Sequence, residues 1–139
     1  MKVSYTTTYG TYTVLADEAD RSATCEELSA SFAGMVQAEP MFRAASVSLF
    51  GRGNVQCTLA LVLTMPYTTE ALALASIRTL RGILASSLHL KVEQDSEVQY
   101  YPNAVCNNYT PRLRGLTVEH RITWTTQDVT STAPTSNPT

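Results

Sequence analysis

At 139 residues the chain has the length of one ordinary domain, enough to bury a core without disulfide or metal staples. Its formal net charge of −2 argues against a dedicated nucleic-acid binder, which carries a basic stripe. The longest strongly apolar run, 59–65, is too short to span a bilayer, and Met1-Lys2-Val3-Ser4-Tyr5 lacks the apolar core of a signal peptide. A soluble product of the cytoplasm, with no membrane partner, is expected.

Charged residues make up 16% of the chain, below the usual quarter, and Thr, Ser, Asn, Gln and Tyr fill the deficit. Such a surface suits β-rich proteins with large uncharged contact areas. Cys25, Cys57 and Cys106 are an odd set without metal-ligand spacing, which excludes a disulfide scaffold as the expected class. Cys57 and Cys106 read as small buried hydrophobes.

In chain order, residues 3–15 are rich in Thr and Tyr, good strand formers, with Gly10 at a bend or turn. Tyr5, Tyr9 and Tyr12 stand there with few aliphatic anchors. The segment is therefore expected to be poorly held alone and to add as a strand to a neighbouring subunit, within an N-terminal arm over 1–42. Asp17 to Asp20 is an acidic connector, and 22–36 mixes helix-friendly Glu26-Glu27-Leu28 with a strand-like or irregular stretch. Beyond Pro40, Val47 and Leu49 alternate with Ser46, Ser48 and Phe50. Gly51-Arg52-Gly53-Asn54 then supplies the glycines of a hairpin connection, with Arg52 at its tip as a candidate partner contact. The return run places Val55, Cys57, Leu59, Leu61 and Leu63 on one face. It becomes apolar on both faces from Leu59, the pattern of a central strand.

Thr68 or Thr69 is a suitable N-cap for a helix over about 68–85, with Glu70 at its positive end. Ala73, Ile77, Leu80 and Leu84 form its apolar stripe, widened by Leu74. Leu88, Leu90 and Val92 alternate with His89, Lys91 and Glu93, a strand with one wet face on which His89 is solvated. The next strand contains Pro102, which lacks an amide proton, so it should be an edge or bulged strand. Residues 107–111 have the composition of a turn. A last strand buries Leu116, Val118, Ile122 and Trp124. After Asp128 the chain has too little apolar surface to offset its ordering entropy, and 129–139 is expected to be a flexible tail.

Chemistry-bearing constellations are sparse. His120 shares a face with Val118 and Ile122 and reads as a hydrogen-bonded core histidine. Neither histidine has a partner at metal-binding spacing. Asp17, Glu18 and Asp20 lack the glycine and spacing of a calcium loop. Tyr100 and Tyr101 point to opposite faces and cannot form one stacking platform; one belongs to the core, and Tyr101 is taken as the interface ring. Arg112 and Arg114 share a face and could pair with acidic groups of a neighbouring subunit. No catalytic residue, metal or cofactor site is assigned.

Arg43 to Gly51, the Ala/Leu-rich helix Ala71 to Leu84 with its arginines, Leu88 to Val92, Gln99 to Ala104, and Leu116 to Trp124 with Asp128 closing follow one another in that order. Over 43–128 that order resembles the tail-tube and distal-tail proteins of long-tailed bacteriophages. The resemblance implies an α+β fold, a mainly antiparallel β-sandwich or barrel with one flanking helix, as a single domain over 1–128. It also implies a structural protein of the virion, not an enzyme. Such subunits close into rings, commonly hexameric, and contact other tail proteins such as tube, tape-measure and baseplate or tip proteins, without specific nucleic-acid binding. The interface residues expected from the sequence are Tyr5, Tyr9, Tyr12, Arg52, Tyr101, Arg112 and Arg114. A head–tail connector or tail-terminator adaptor, and a small α+β enzyme or ligand-binding domain, remain alternatives.

Overall fold

The computed structural model describes residues 1–20, 24–33, 36–40, 47–51, 56–127 and 129–139. It is a β-rich α+β fold: nine antiparallel strands and one α-helix, with a 3-10 turn at Glu18–Asp20, among the described residues. The strands are β1 (Lys2–Thr8), β2 (Thr11–Asp17), β3 (Thr24–Ala33), β4 (Val36–Pro40), β5 (Val47–Gly51), β6 (Gln56–Pro66), β7 (Leu88–Gln94), β8 (Glu97–Arg114) and β9 (Thr117–Gln127). The helix, α1, spans Glu70–Leu84. Seven strands form one sheet in the order β2-β1-β7-β8-β9-β6-β3, and β4 and β5 form a separate two-stranded ribbon.

β8 links the two halves of the sheet. Its first half pairs with β7 and its second half with β9. Two register shifts fall on it, one opposite Leu88/Leu90 and one at Cys106/Asn108, and bulges of this kind bend a strand and increase its twist. At the first shift Leu88 pairs with Ala104 and Leu90 with Tyr101, so His89 alone faces Pro102 and Asn103. That bulge explains how a proline sits inside a sheet: its missing amide falls where the ladder is already broken. Asn103 adopts φ 52, a left-handed conformation that asparagine tolerates better than most residues.

The interior faces of both halves converge on one cluster. Cys57, Leu59, Leu61 and Leu63 of β6, Ile122 and Trp124 of β9, Leu88, Leu90 and Val92 of β7, and Val3 of β1 all belong to it. The helix covers this side with Leu80 and Leu84, while Ala73 is also buried. Thr69 caps α1, its side chain accepting a hydrogen bond from Leu72 N at 3.2 Å. Leu74, expected to widen the apolar stripe, is 47% exposed instead, because the sheet meets only the narrower Ala73-Leu80-Leu84 side.

Several sequence expectations are corrected. Residues 3–15 form a hairpin turning at Gly10 (φ +89), and β1 pairs with β7 of the same chain, so this segment is part of the chain's own sheet. Backbone pairing on both sides of β1 supplies what the missing aliphatic anchors do not. The runs on either side of Gly51–Asn54 do not form a hairpin. β5 pairs with β4, and both edges of β6 are taken by β3 and β9. Arg52, Gly53 and Asn54 lie outside the described residues.

Residues 107–111 continue β8, because the β9 ladder holds them extended against their turn-forming composition. The turn falls later, at Gly115 (φ 63) and Leu116, the two residues between the Arg114–Thr117 pair. Leu116 is consequently 46% exposed and not part of the buried face.

The segment 129–139 is laid over its own sheet. Thr130 exchanges backbone hydrogen bonds with Tyr100 at 2.8 and 2.9 Å. Tyr9 N donates to Asn137 Oδ1 at 2.6 Å, and Thr139 N donates to Asn103 Oδ1 at 3.0 Å. Backbone groups of Thr130 and Thr139, with the Asn137 side chain, do the anchoring.

Candidate functional site

The side chains singled out from the sequence fall into three places. The first is the face of β1, β2 and β7 crossed by residues 129–139. Tyr12 is half-buried there and tilts against Tyr100, with ring centroids 6.1 Å apart. Lys91 Nζ lies 5.5 Å from the Tyr12 centroid and 6.0 Å from that of Tyr100, within cation–π range, and also pairs with Glu93 at 3.1 Å. Burial, and secondarily Tyr100, raises the Tyr12 phenol above its ordinary pKa. Tyr9 is 56% exposed at the β1–β2 turn. Tyr5 is half-buried on the opposite face and packs against the core.

Of the adjacent tyrosines, Tyr101 is the core member at 4% exposure and Tyr100 the surface ring, which reverses the expected assignment. The reason is register. Tyr101 pairs with Leu90, whose side chain is in the core, whereas Tyr100 pairs with Lys91. Alternation limited the choice to one of the two; pairing with β7 made it.

The second place is the outer face of β3, β6, β9 and the end of β8. Arg112 pairs with Glu119 across the β8–β9 ladder, and Arg121 Nε donates to Glu119 Oε1 at 2.7 Å. The hydrogen bond from Arg121 holds the Glu119 carboxyl below the usual carboxylate range, with Arg114 and Arg112 adding to the effect. Arg112 and Arg114 are exposed, as expected, but the acidic group they surround belongs to the same chain. Beyond this cluster the face carries Ser29, Ser31, Thr58, Ala60, Thr110 and Thr123, small or uncharged side chains at exposed or half-buried positions.

Both histidines are buried, His89 at the first place and His120 at the third, on the inner face under α1. His89, expected on a wet face, is 2% exposed beneath residues 129–139. Its Nδ1 accepts from Asn103 N at 3.0 Å, which puts the ring proton on Nε2, where it donates to Ser136 O at 2.8 Å. His120 is the core histidine expected, 1% exposed, with Nδ1 2.6 Å from Tyr109 Oη. Burial pushes the His120 imidazole down to about 4 and the Tyr109 phenol upward, so the phenol keeps its proton and donates to Nδ1. The neutral ring then carries its own proton on Nε2, and that buried nitrogen has no hydrogen-bond partner. An open cleft of about 230 Å³ beside it is lined by Leu15, Met65, Leu80 and Ile83 together with the polar Tyr67, Ser76 and Thr79. The cleft escaped the sequence reading because its walls come from β2, β6, α1 and β9, which are distant in the chain.

Cys57 is buried and Cys106 half-buried; the Cys106 thiol is raised by burial. Among the described residues, no three His, Cys, Asp or Glu side chains are placed to hold a metal ion, and no helix is long and apolar enough to cross a membrane. Compared with protein-family models and with curated proteins, the chain matches none.

Proposed function

We propose that this protein is a structural subunit of a bacteriophage virion that self-assembles into a ring of the tail, as a tail-tube or distal-tail subunit. The observation that carries this reading is the β4–β5 ribbon. Among the described residues its two strands hydrogen-bond only to each other and not to the seven-stranded sheet. An isolated two-stranded ribbon is marginally stable in water, and a neighbouring subunit would supply the missing support. Among the described residues the outermost strands of the main sheet, β2 and β3, each pair on one side only, and such edges are points of attachment for another chain. The outer face of β3, β6 and β9, with small Ser, Thr and Ala side chains beyond the Glu119–Arg121 pair, offers a surface for packing.

Head-to-tail contacts that close on rotation would make the ring, with six copies expected from the resemblance. Other tail proteins would stack above and below it. The two sheet halves share β8 and one core, which supports a sandwich-like domain of the kind that the resemblance implies. A single α-helix among the described residues favours a tube or distal ring over a connector or terminator with several helices.

Ring-sized particles or tubes in light scattering and negative-stain microscopy are expected of the purified protein; a strictly monomeric species at high concentration, also missing from virions, would overturn the reading. Ala33 pairs with Gln56, so a two-residue Asn-Gly turn can replace residues 34–55 without disturbing β3 and β6. That variant should fold as a monomer and fail to assemble.

A further inference from the structure

β8 runs from one charged turn to another of opposite sign. At its start the β7–β8 turn exposes Asp95, with Glu97 beside it, and neither side chain has an ion pair among the described residues. At its end Arg112 and Arg114 precede the β8–β9 turn, and Arg121 stands near them on β9. We propose that this arginine cluster is a docking surface for the Asp95–Glu97 turn of a second copy of the chain. The inference rests on the reading of the protein as a ring subunit and names the contact that joins one copy to the next.

Charge complementarity carries it. Within the cluster Glu119 is the one described carboxylate, and Arg121 Nε already binds it at 2.7 Å. Arg112 and Arg114 are exposed and make no ion pair, so the described side chains leave an excess of positive charge on this face. A guanidinium presents a planar fork of donors that fits a carboxylate. The other described carboxylates are less suited to reach it. Glu18 pairs with the N-terminal ammonium at 2.9 Å, Asp17 accepts from Ala19 N at 3.0 Å, and Glu93 pairs with Lys91 at 3.1 Å. Glu70 stands in the first turn of α1, at the positive end of the helix. Asp95 and Glu97 remain, two carboxylates on one turn facing solvent.

Each turn also carries an exposed apolar neighbour, Val98 at 36% beside Glu97 and Leu116 at 46% beyond Arg114. A docked pair of turns would cover these two and leave the charges around them, the usual arrangement of a protein interface. The two patches are different surfaces of one chain, so the contact is head-to-tail and each copy can use both. Both register shifts of β8 lie between the turns and bend the strand, so the turns do not project back to back. Successive copies are thereby rotated, as closure into a ring requires.

Reversing charge at either end of the full chain tests the contact. One variant carries Arg112→Glu and Arg114→Glu. The other carries Asp95→Asn, Ser96→Lys and Glu97→Lys, with asparagine retained at φ 53 because it tolerates that left-handed backbone. All five positions are exposed, and circular dichroism should show the fold intact. In light scattering each variant alone is expected to need at least about a hundredfold higher concentration to assemble, since like charges then face one another. An equimolar mixture restores opposite charges at every contact and should assemble within about tenfold of the unaltered chain. Glu97→Gln and Arg114→Gln, made singly, should each weaken assembly at least about tenfold and serve if a reversed chain folds poorly. Rings formed equally well by these variants, or a mixture no better than its components, overturn this contact and leave the ring reading standing. An unaltered chain that stays monomeric overturns both.

Discussion

Each half of the sheet buries one histidine, and the two halves treat it differently. On the β2-β1-β7 side, residues 129–139 cross the outer face and His89 has a partner at both ring nitrogens. On the β9-β6-β3 side the histidine lies on the inner face under α1, and one nitrogen of His120 is left without a partner. The outer face of that second half carries exposed Thr, Ser and Arg side chains with no segment over them among the described residues. A polar residue on a strand is buried or wet according to what crosses its face. A segment held by backbone groups can therefore bury a histidine fully satisfied, whereas an apolar helix buries one at the expense of a hydrogen bond.

If the halves are one cooperative unit despite this difference, removing core volume from either should weaken both. Leu61→Ala in β6 and Leu90→Ala in β7 each delete a fully buried side chain of the shared cluster. Each is expected to lower unfolding stability by about 2–5 kcal/mol in urea, followed through Trp124 fluorescence and far-ultraviolet circular dichroism. One coincident transition in both variants supports a single unit; two separated transitions would split the molecule at β8.

The buried His120 sharpens the contrast through pH. His120 binds its proton more weakly folded than unfolded, with its pKa lowered from 6.5 to about 4. Between those values the unfolded chain takes up the proton and the folded chain does not, so stability is unaffected above pH 6.5 and falls as the pH drops toward 4. The loss should reach at most about 3 kcal/mol. His120→Phe should remove that part of the slope, and an unaltered acid profile would show that the ring is not held neutral by burial.

A smaller, local effect is expected from His89→Leu, which keeps bulk but deletes both hydrogen bonds. Stability should fall by about 1–3 kcal/mol, the cost of leaving Asn103 N and Ser136 O without this partner. Amide exchange should rise at Thr130, Thr132 and Thr139 while β6 and β9 stay protected. Unchanged exchange in 129–139 would mean that the contacts to Tyr9, Tyr100 and Asn103 hold the segment without the histidine.

Much of the fold was legible because it rests on local periodicity. Alternation in 55–63, 88–93 and 116–124 marked β6, β7 and β9, and a cap at Thr68 or Thr69 with the Ala73-Ile77-Leu80-Leu84 stripe marked α1. Pro102 announced an edge or bulged strand because a missing amide cannot serve a ladder, and pairing of β8 with both β7 and β9 made it the bulge. The candidate site was less legible. The sequence identified His120 as a core residue but gave no sign of its unpartnered nitrogen, which depends on Tyr109 eleven positions away taking the other one.

What the sequence by itself determined, then, is the set of residues that can alternate, cap or bend, since those depend on neighbours along the chain. Only the tertiary structure decided which strand lies beside which, and from that the rest followed. β6 took β3 and β9 as partners, so β5 turned to β4; Tyr101 met Leu90, so Tyr100 became the surface ring. The burial of His89 likewise waited on residues 129–139, whose hold on the sheet is by backbone groups that every composition shares. Strand pairing is a contest among backbone donors and acceptors of nearly equal strength, and it is settled by which side chains the whole core can enclose.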